Sequence, residues 1–419
     1  MKDLTTLSKD VAREIIERVG SSGQPPEYGF QFFTVGLDSC LHVMEEEYLS
    51  SYIREFNGKA FKMVVGSYGG GKTHFLYCIR ELAWKYNFVV SYVELSEKTT
   101  PFYQLENVYR AIVSNMMCPL SPEELLSGYE KGIDNLLKIW FQRVKTNYEQ
   151  SGLSGDNLNT ELIKYADSIK DFDSISFTNA VKQAFRAILE RRDADLTTIM
   201  QWLRFEGFIS GKNGHPRFGI LQRIDKSNAF SLIRSTVQWV KQMGYSGLII
   251  LFDETEQTPS LSGKQKNTLF SNLVEMINEC GRGQIDNSMF FYAVPNEDFL
   301  EKGTGIYEAL KQRLDTVFDI YNPTGVKVRL ENIPGDSEAN LIEIGYNLAK
   351  IFQKAYTVDF DNAVLQESIK NVASLAYEHR WTTGSKRYFV QKVINALYFL
   401  RGDQYTIVTR ERIENSEKS

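Results

Sequence analysis

Short apolar runs alternate with amphipathic stretches along the chain. These runs predict strands that are buried on both faces of a sheet, at 61–65, 88–95, 248–252 and 289–294, and a last short strand at 326–330. Between them, apolar residues at helical spacing predict helices at about 73–86 and 264–280. Strands that alternate with helices in this order are typical of a parallel α/β sheet.

Helical patterns dominate both ends of the chain and its middle. We predict an N-terminal helical segment (1–56), a sheet-containing domain (57–335) with a helical insertion at about 101–242, and a C-terminal helical domain (336–419). Within the insertion, Ser121-Pro122-Glu123-Glu124 has the capping-box pattern that begins a helix. The stretch 151–159 is rich in Ser, Gly and Asn and predicts a surface loop.

Composition and charge limit the kinds of partner that the chain is expected to bind. The 419 residues are 42% hydrophobic, which excludes long disorder, and the net charge of −5 argues against purely electrostatic binding of nucleic acid. A local basic face at 182–192 leaves direct DNA contact open. No apolar run approaches the roughly 18 residues of a membrane span. The four cysteines are widely spaced, which predicts reduced thiols and a cytoplasmic location without a zinc site.

One motif predicts the ligand. The segment GSYGGGKT at 66–73 matches the P-loop pattern GxxxxGK[ST] and lies between a predicted strand and a predicted helix. Glycines allow the backbone N–H groups to surround a phosphate, and the N-terminus of the helix adds a positive dipole end. We therefore predict that ATP is bound by Gly66, Ser67, Tyr68, Gly69, Gly70, Gly71, Lys72, Thr73 and His74. Lys72 would bridge the β- and γ-phosphates, and the hydroxyl of Thr73 would bind Mg²⁺.

Two acids predict the second half of the site. Asp253 and Glu254 end the apolar strand at 248–252, where Asp253 would complete the Mg²⁺ shell and Glu254 would act as general base toward water. An acid directly after the metal-binding Asp is typical of additional-strand (ASCE) ATPases such as AAA+ proteins. The fold class predicted is therefore an α/β, AAA+-type P-loop NTPase core with a parallel sheet, a C-terminal helical lid and, because Lys72 and Asp253 lie far apart, a large helical insertion.

Three further residues are weaker catalytic candidates. Asn296 follows the strand at 289–294, where a polar residue can sense the γ-phosphate; the alternative is a turn residue. Arg313 lies on a helix after that strand and could act as an arginine finger in a second copy of the chain, or could be an ordinary surface arginine. Arg387 begins the last long helix and could report the nucleotide state to the lid.

Several segments resemble the BrxD-like ATP-binding proteins of BREX-type bacterial phage-defence systems; a similar ATPase accompanies a helicase in the Shango system. The resembling segments are 11–17, 34–37, 65–76, 88–91, 202–206 and 244–256. The segment WLRFE at 202–206 has Phe205 where the family usually has Gly. The resemblance implies an AAA+-like ATPase that works with other proteins of a defence island, including a helicase.

Three functions remain open from the sequence. The first is a Mg-ATP-hydrolysing switch or motor component of a defence system. The second is a DNA-binding clamp or loader ATPase resembling origin-recognition proteins, which a clustered basic face would favour. The third is a signalling scaffold that binds ATP and hydrolyses it slowly, which intact Lys72, Asp253 and Glu254 do not exclude.

Overall fold

The computed structural model describes residues 4–206, 215–254, 261–283, 285–296, 305–333, 337–379 and 384–415. Its strands are β1 (Lys59–Val65), β2 (Val89–Leu95), β3 (Met116–Met117), β4 (Leu248–Glu254), β5 (Ser288–Val294) and β6 (Lys327–Arg329). They form one sheet in the order β3-β2-β4-β5-β1-β6. All neighbouring pairs are parallel except β2 and β3. An additional strand, β5, thus separates β1 from β4, which confirms the predicted fold class.

The helices follow the predicted order. Before β1 lie α1 (Lys9–Ser22), α2 (Asp38–Val43) and a π-helix (Met44–Tyr52). Helix α3 (Lys72–Lys85) lies between β1 and β2, α11 (Gly263–Gly281) between β4 and β5, and α12 (Gly305–Leu314) between β5 and β6. Between β2 and β4 lie α4 (Leu105–Ser114), α5 (Pro122–Ser127), α6 (Ile133–Gln150), α7 (Gly155–Ser168), α8 (Ile175–Leu189), α9 (Asp193–Leu203) and α10 (Ala229–Gln242). The C-terminal helices are α13 (Glu338–Tyr356), α14 (Asn362–Glu378), α15 (Ser385–Gly402) and α16 (Arg410–Asn415). Among the described helices, none combines the length and the apolar character needed to cross a membrane.

The strand register brings the two predicted motifs to the same edge of the sheet. Val65, the last residue of β1, is paired with Val294 of β5, and Asp253 of β4 is paired with Ala293. Because these strands are parallel, the loop after β1 and the acids that end β4 emerge on the same side. The P-loop segment and the acids therefore share one edge of the sheet.

The hydrophobic cores connect the two ends of the chain. Buried residues of α1 form one cluster with buried residues of α13, α14 and α15. Buried residues of α2 and of the π-helix pack instead with α3 and one face of the sheet. The stretch predicted as one N-terminal segment, 1–56, therefore contributes to two different cores, and α1 packs with the C-terminal helices.

Helices α4 and α6 to α10 cover the other face of the sheet and share a core with it, whereas Leu125 of α5 packs in the core of the first face. The predicted capping box of α5 is present, because the Ser121 side chain accepts from the Glu124 N–H and the Glu124 side chain accepts from the Ser121 N–H. The predicted loop at 151–159 is wrong in its second half, because α7 begins at Gly155. Leu158 and Leu162 are buried against this core, and their packing outweighs the loop-like composition of the segment.

Phe205 lies at the C-terminus of α9 in a left-handed conformation, with φ 52°. The Phe205 N–H donates to the Trp202 carbonyl and the Glu206 N–H donates to the Gln201 carbonyl, which is the hydrogen-bond pattern of a Schellman motif. Glycine is usual at this position because the left-handed conformation brings Cβ close to the backbone. A glycine would adopt this backbone at lower cost, whereas the Phe205 ring packs against the core of the insertion.

The left-handed backbone at Phe205 predicts which of two substitutions that remove its ring gives the more stable protein. Phe205→Ala and Phe205→Gly remove the same ring contacts, but only glycine relieves the left-handed backbone, so the glycine variant should be more stable by about 1 kcal/mol. Thermal unfolding of the two proteins measures the order. As a control, Ala194→Gly at an exposed position of the same helix should lower stability. A Phe205→Ala protein as stable as the glycine variant would contradict the prediction.

Candidate functional site

The loop between β1 and α3 has the backbone of a phosphate-binding loop. Gly69 and Gly71 have φ of 73° and 99°, which glycine adopts at little cost. A Cβ at Gly71 would meet nothing within 4 Å, so the conformation rather than the available space requires glycine there. Gly71 directly precedes α3, and the N–H groups at the start of this helix are suited to bind an anion.

Lys72 is buried and is bonded to the loop itself. Its Nζ donates to the carbonyl of Gly66 at 2.8 Å and to that of Ser67 at 3.0 Å. Burial lowers the pKa of Lys72, and the carboxylates of Asp253 and Glu331 oppose the fall. A bound phosphate would offer this ammonium a charged partner in exchange for the two carbonyls.

Asp253 joins the two motifs. The hydroxyl of Thr73 donates to Asp253 Oδ2 at 2.6 Å, and the hydroxyl of Tyr92 donates to the same oxygen at 2.7 Å. Asp253 is only 2% exposed. A hydroxyl and a carboxylate are the hard oxygen ligands that Mg²⁺ prefers, so these residues fit the predicted cation.

Glu254 stands beside Asp253 with a perturbed carboxyl group. Burial raises the pKa of Glu254 to about 8, the Lys72 ammonium opposes the rise, and the Asp253 carboxylate adds to it. A carboxyl group whose pKa lies near neutrality is suited to accept a proton from water.

A cavity of about 250 Å³ extends from the loop and the two acids. One wall comes from the N-terminal residues and another from the C-terminal helices. The apolar side chains of these two walls include Val19, Phe33, Val35, Leu37, Leu341, Ile344 and Val390. The cavity is therefore polar where the loop and acids lie, and apolar where the two ends of the chain meet.

The C-terminal helices contact the loop directly. A Cβ at Gly69 would lie 2.7 Å from the Cα of Gly384, so only glycine permits this approach. Arg387 donates to the Tyr68 hydroxyl at 2.8 Å, and its guanidinium lies 4.7 Å from the centre of the Tyr68 ring. Its Nε is buried and has no hydrogen-bond partner within the described part of the chain. Arg387 thus lies at the cavity, and its role in coupling the nucleotide to the lid stays a prediction.

The other two candidates are less close to the cavity. Pro295 lines it, but Asn296 is exposed and is not among the lining residues. Arg313 is exposed on α12, where its Nε donates to Asn278 Oδ1 of α11 at 3.0 Å. Their roles remain predictions, and Arg313 is not placed to act on this chain's own cavity.

Sequence reasoning missed two further contacts, one of the loop and one at the start of α3. Glu331, just after β6, accepts from the Ser67 N–H at 2.9 Å. The Nε2 of His74 lies 2.7 Å from the Thr34 hydroxyl, and burial lowers the pKa of His74 to about 4. His74 lines the cavity as a neutral ring and ties α3 to the N-terminal residues. No local sequence pattern indicates that Glu331 contacts the P-loop. The contact of Tyr92 with Asp253 was not predicted either, although Tyr92 lies on a predicted strand.

The basic face considered for DNA contact is largely neutralised. Three of its four cations are paired with acids of the insertion: Lys182 with Asp171, Arg186 with Asp167, and Arg192 with Glu190 and Asp195. These pairs reduce the positive potential that binding to a phosphate backbone would require.

Sheet order, loop and acids together define a P-loop NTPase of the additional-strand, AAA+-like class. The family described as "BREX system ATP-binding protein BrxC/D" matches residues 7–415, and the chain belongs to it. This match confirms the family resemblance seen in the sequence. Among solved structures, the fold is similar to that of the Aeropyrum pernix ORC2 protein in its ADPNP-ADP complexes, with a TM-score of 0.43 and 11% identity over 91% of this chain and 68% of that one. No curated protein matches the chain.

Proposed function

We propose that the chain binds and hydrolyses Mg-ATP as a switch or motor component of a BREX defence system. The observation that carries the proposal is the contact of 2.6 Å between the Thr73 hydroxyl and Asp253 Oδ2. It joins the P-loop to the acids of β4 at the edge where phosphates would enter. Membership of a family of BREX ATP-binding proteins supports the choice of ATP.

Each polar group has a task in this proposal. The N–H groups at the start of α3 bind the phosphates, and the Lys72 ammonium stabilises charge on the β- and γ-oxygens. Thr73 and Asp253 would hold Mg²⁺, which neutralises charge on the same oxygens when it is bound. Glu254 orients the attacking water and accepts its proton, which its raised pKa favours.

The apolar part of the cavity suits the adenine base. It lies between the N-terminal residues and the C-terminal helices, which act as a lid in this proposal. Because Arg387 contacts the loop at Tyr68, a change at the phosphates can alter the position of α15. Asn296, which follows β5, is proposed to respond to the γ-phosphate.

The output is proposed to pass to other proteins of the defence island, including a helicase, in the cytoplasm. The paired basic face supports a protein partner over direct contact with DNA. Copurification of the tagged chain with the products of neighbouring genes would identify that partner. Recovery of DNA alone, without a protein partner, would instead favour the clamp-loader alternative.

The proposal is tested by the release of inorganic phosphate from the purified chain. We expect release from ATP with Mg²⁺, little release in EDTA, and weaker use of GTP because the cavity wall is apolar. Absence of release under all conditions, also with the copurified partner present, would contradict hydrolysis. Equal use of ATP and GTP would contradict the role given to the apolar wall.

Arg313 is predicted to act in a second copy of the chain. An arginine finger supplied by another subunit is worth about 10³–10⁵ in rate where it has been measured. We therefore expect specific activity to rise with protein concentration as copies associate. Arg313→Ala should flatten that rise and leave ATP affinity unchanged, since Arg313 lies away from its own cavity.

Lys311→Ala is the matched control, because it removes a cation from the same helix two positions away. It should keep the dependence on concentration. A monomer by light scattering in the presence of ATP and partner, or specific activity that does not change with concentration, would contradict the role of Arg313 as an arginine finger.

A further inference from the structure

Tyr92 is a residue of the site that neither motif contains. Its hydroxyl and that of Thr73 both donate to Asp253 Oδ2, at 2.7 Å and 2.6 Å. Hydrogen bonds from hydroxyl groups to a carboxylate are short and strong, and two of them on one oxygen restrict rotation of the carboxylate. Thr73 and Asp253 are the proposed cation ligands, so Tyr92 is bonded to a ligand without being one.

The sheet register explains how Tyr92 reaches the acid. Tyr92 of β2 is paired with Leu251 of the parallel strand β4, and Asp253 is two residues further along. Leu251 and Asp253 therefore point to the same face as Tyr92, which is the face covered by α3. The length of a tyrosine side chain spans the remaining distance along the strand.

The Tyr92 ring is held in place by α3. It packs edge-on against the ring of Tyr77, with 5.3 Å between their centres, and the Tyr77 hydroxyl donates to Glu27 Oε1 at 3.3 Å. The Tyr92 phenol is an O–H donor, and it donates to the carboxylate while its ring is held by these contacts. A fixed ring with a permanent donor is what orientation of a carboxylate requires.

We infer that Tyr92 is a positioning residue, which orients the Asp253 carboxylate toward the divalent cation that accompanies ATP. The inference rests on the proposed function, because it assigns Tyr92 a role at the same cation site. Groups that hydrogen-bond to a metal ligand fix its orientation, and their loss typically lowers metal affinity or activity about 10–100-fold.

The test compares ATP affinity by calorimetry across a Mg²⁺ titration and in EDTA. In Tyr92→Phe the ring and its contact with Tyr77 remain, and only the hydroxyl is lost. We expect the Mg²⁺ concentration for half-maximal effect to rise about tenfold, while ATP affinity in EDTA stays within about twofold of the parent. Direct Mn²⁺ binding, measured by electron paramagnetic resonance with ATP present, should weaken in parallel.

Tyr109→Phe is the matched control. Tyr109 is fully buried, and its hydroxyl donates to the Leu203 carbonyl at 2.9 Å, in the insertion and away from the cavity. The Tyr109→Phe protein should lose about as much thermal stability as the Tyr92→Phe protein, and it should keep the parent's response to Mg²⁺. An unchanged Mg²⁺ response in Tyr92→Phe, or an equal loss of ATP affinity in EDTA, would overturn the positioning role. A parent chain whose ATP affinity gains nothing from Mg²⁺ would contradict the proposed function itself.

Discussion

Lys72→Ala is expected to lower ATP affinity about 100-fold or more, because the substitution removes the one buried cation of the P-loop. The ammonium lies at the start of α3, beside Gly66 and Ser67, where a phosphate would replace the two carbonyls it now contacts. Calorimetry with ATP and Mg²⁺ measures the loss. Circular dichroism is needed beside it, since the same ammonium also holds the loop.

Lys85→Ala provides the control for this experiment. Lys85 is the last residue of the same helix, and it is exposed and paired with Glu45. Its loss should leave ATP affinity unchanged, because an exposed ion pair contributes little to stability and Lys85 does not line the cavity. ATP affinity that is equal in the parent and in a folded Lys72→Ala protein would show that the nucleotide does not bind at this loop.

Glu254→Gln is expected to keep ATP bound and to slow its cleavage about 10²–10⁴-fold, the usual contribution of a general base. The amide preserves the shape of the side chain but cannot accept a proton from water. The substitution also removes an acid next to Asp253 and Lys72, so ATP affinity should stay equal or increase. The rate of cleavage is best measured with the chain in excess over ATP. Such a measurement can still distinguish the variant from the parent when the parent itself is a slow enzyme.

Glu94→Gln is the control for the general base. Glu94 is an exposed acid of β2, paired with Asp253 in the strand register, and it does not line the cavity. The Glu94→Gln protein should cleave ATP at the parent's rate. A Glu254→Gln protein that cleaves ATP within a few-fold of the parent would exclude Glu254 as the base.

The sheet and its two motifs could be predicted because their signals are local. A strand buried on both faces needs a continuous apolar run, and residues 61–65 and 248–252 provide it within β1 and β4. The loop and the acids follow these strands directly. Because the strands are parallel, the loop and the acids lie at the same edge of the sheet, as the two motifs predict; the hydrogen bond between Thr73 and Asp253 also depends on the order of the strands.

The contacts that the sequence could not predict are those between distant segments. The bond from Tyr92 to Asp253 depends on the register of β2 with β4, and a shift of one residue would turn the tyrosine to the other face. The packing of α1 on α13 and α15 depends on tertiary contacts between the two ends of the chain. Composition also misled at 155–159, where buried Leu158 outweighs the glycine and asparagine around it.

A single-turnover experiment on the unmodified chain tests the central claim most directly. The chain, in excess over ATP labelled at the γ-phosphate, is mixed with Mg²⁺, and ATP and phosphate are quantified over time with and without the copurified partner. We expect bound ATP to be converted to ADP, with one phosphate released for each ATP. Bound ATP that stays intact, also in the presence of the partner, would contradict the account and identify the chain as an ATP-binding scaffold.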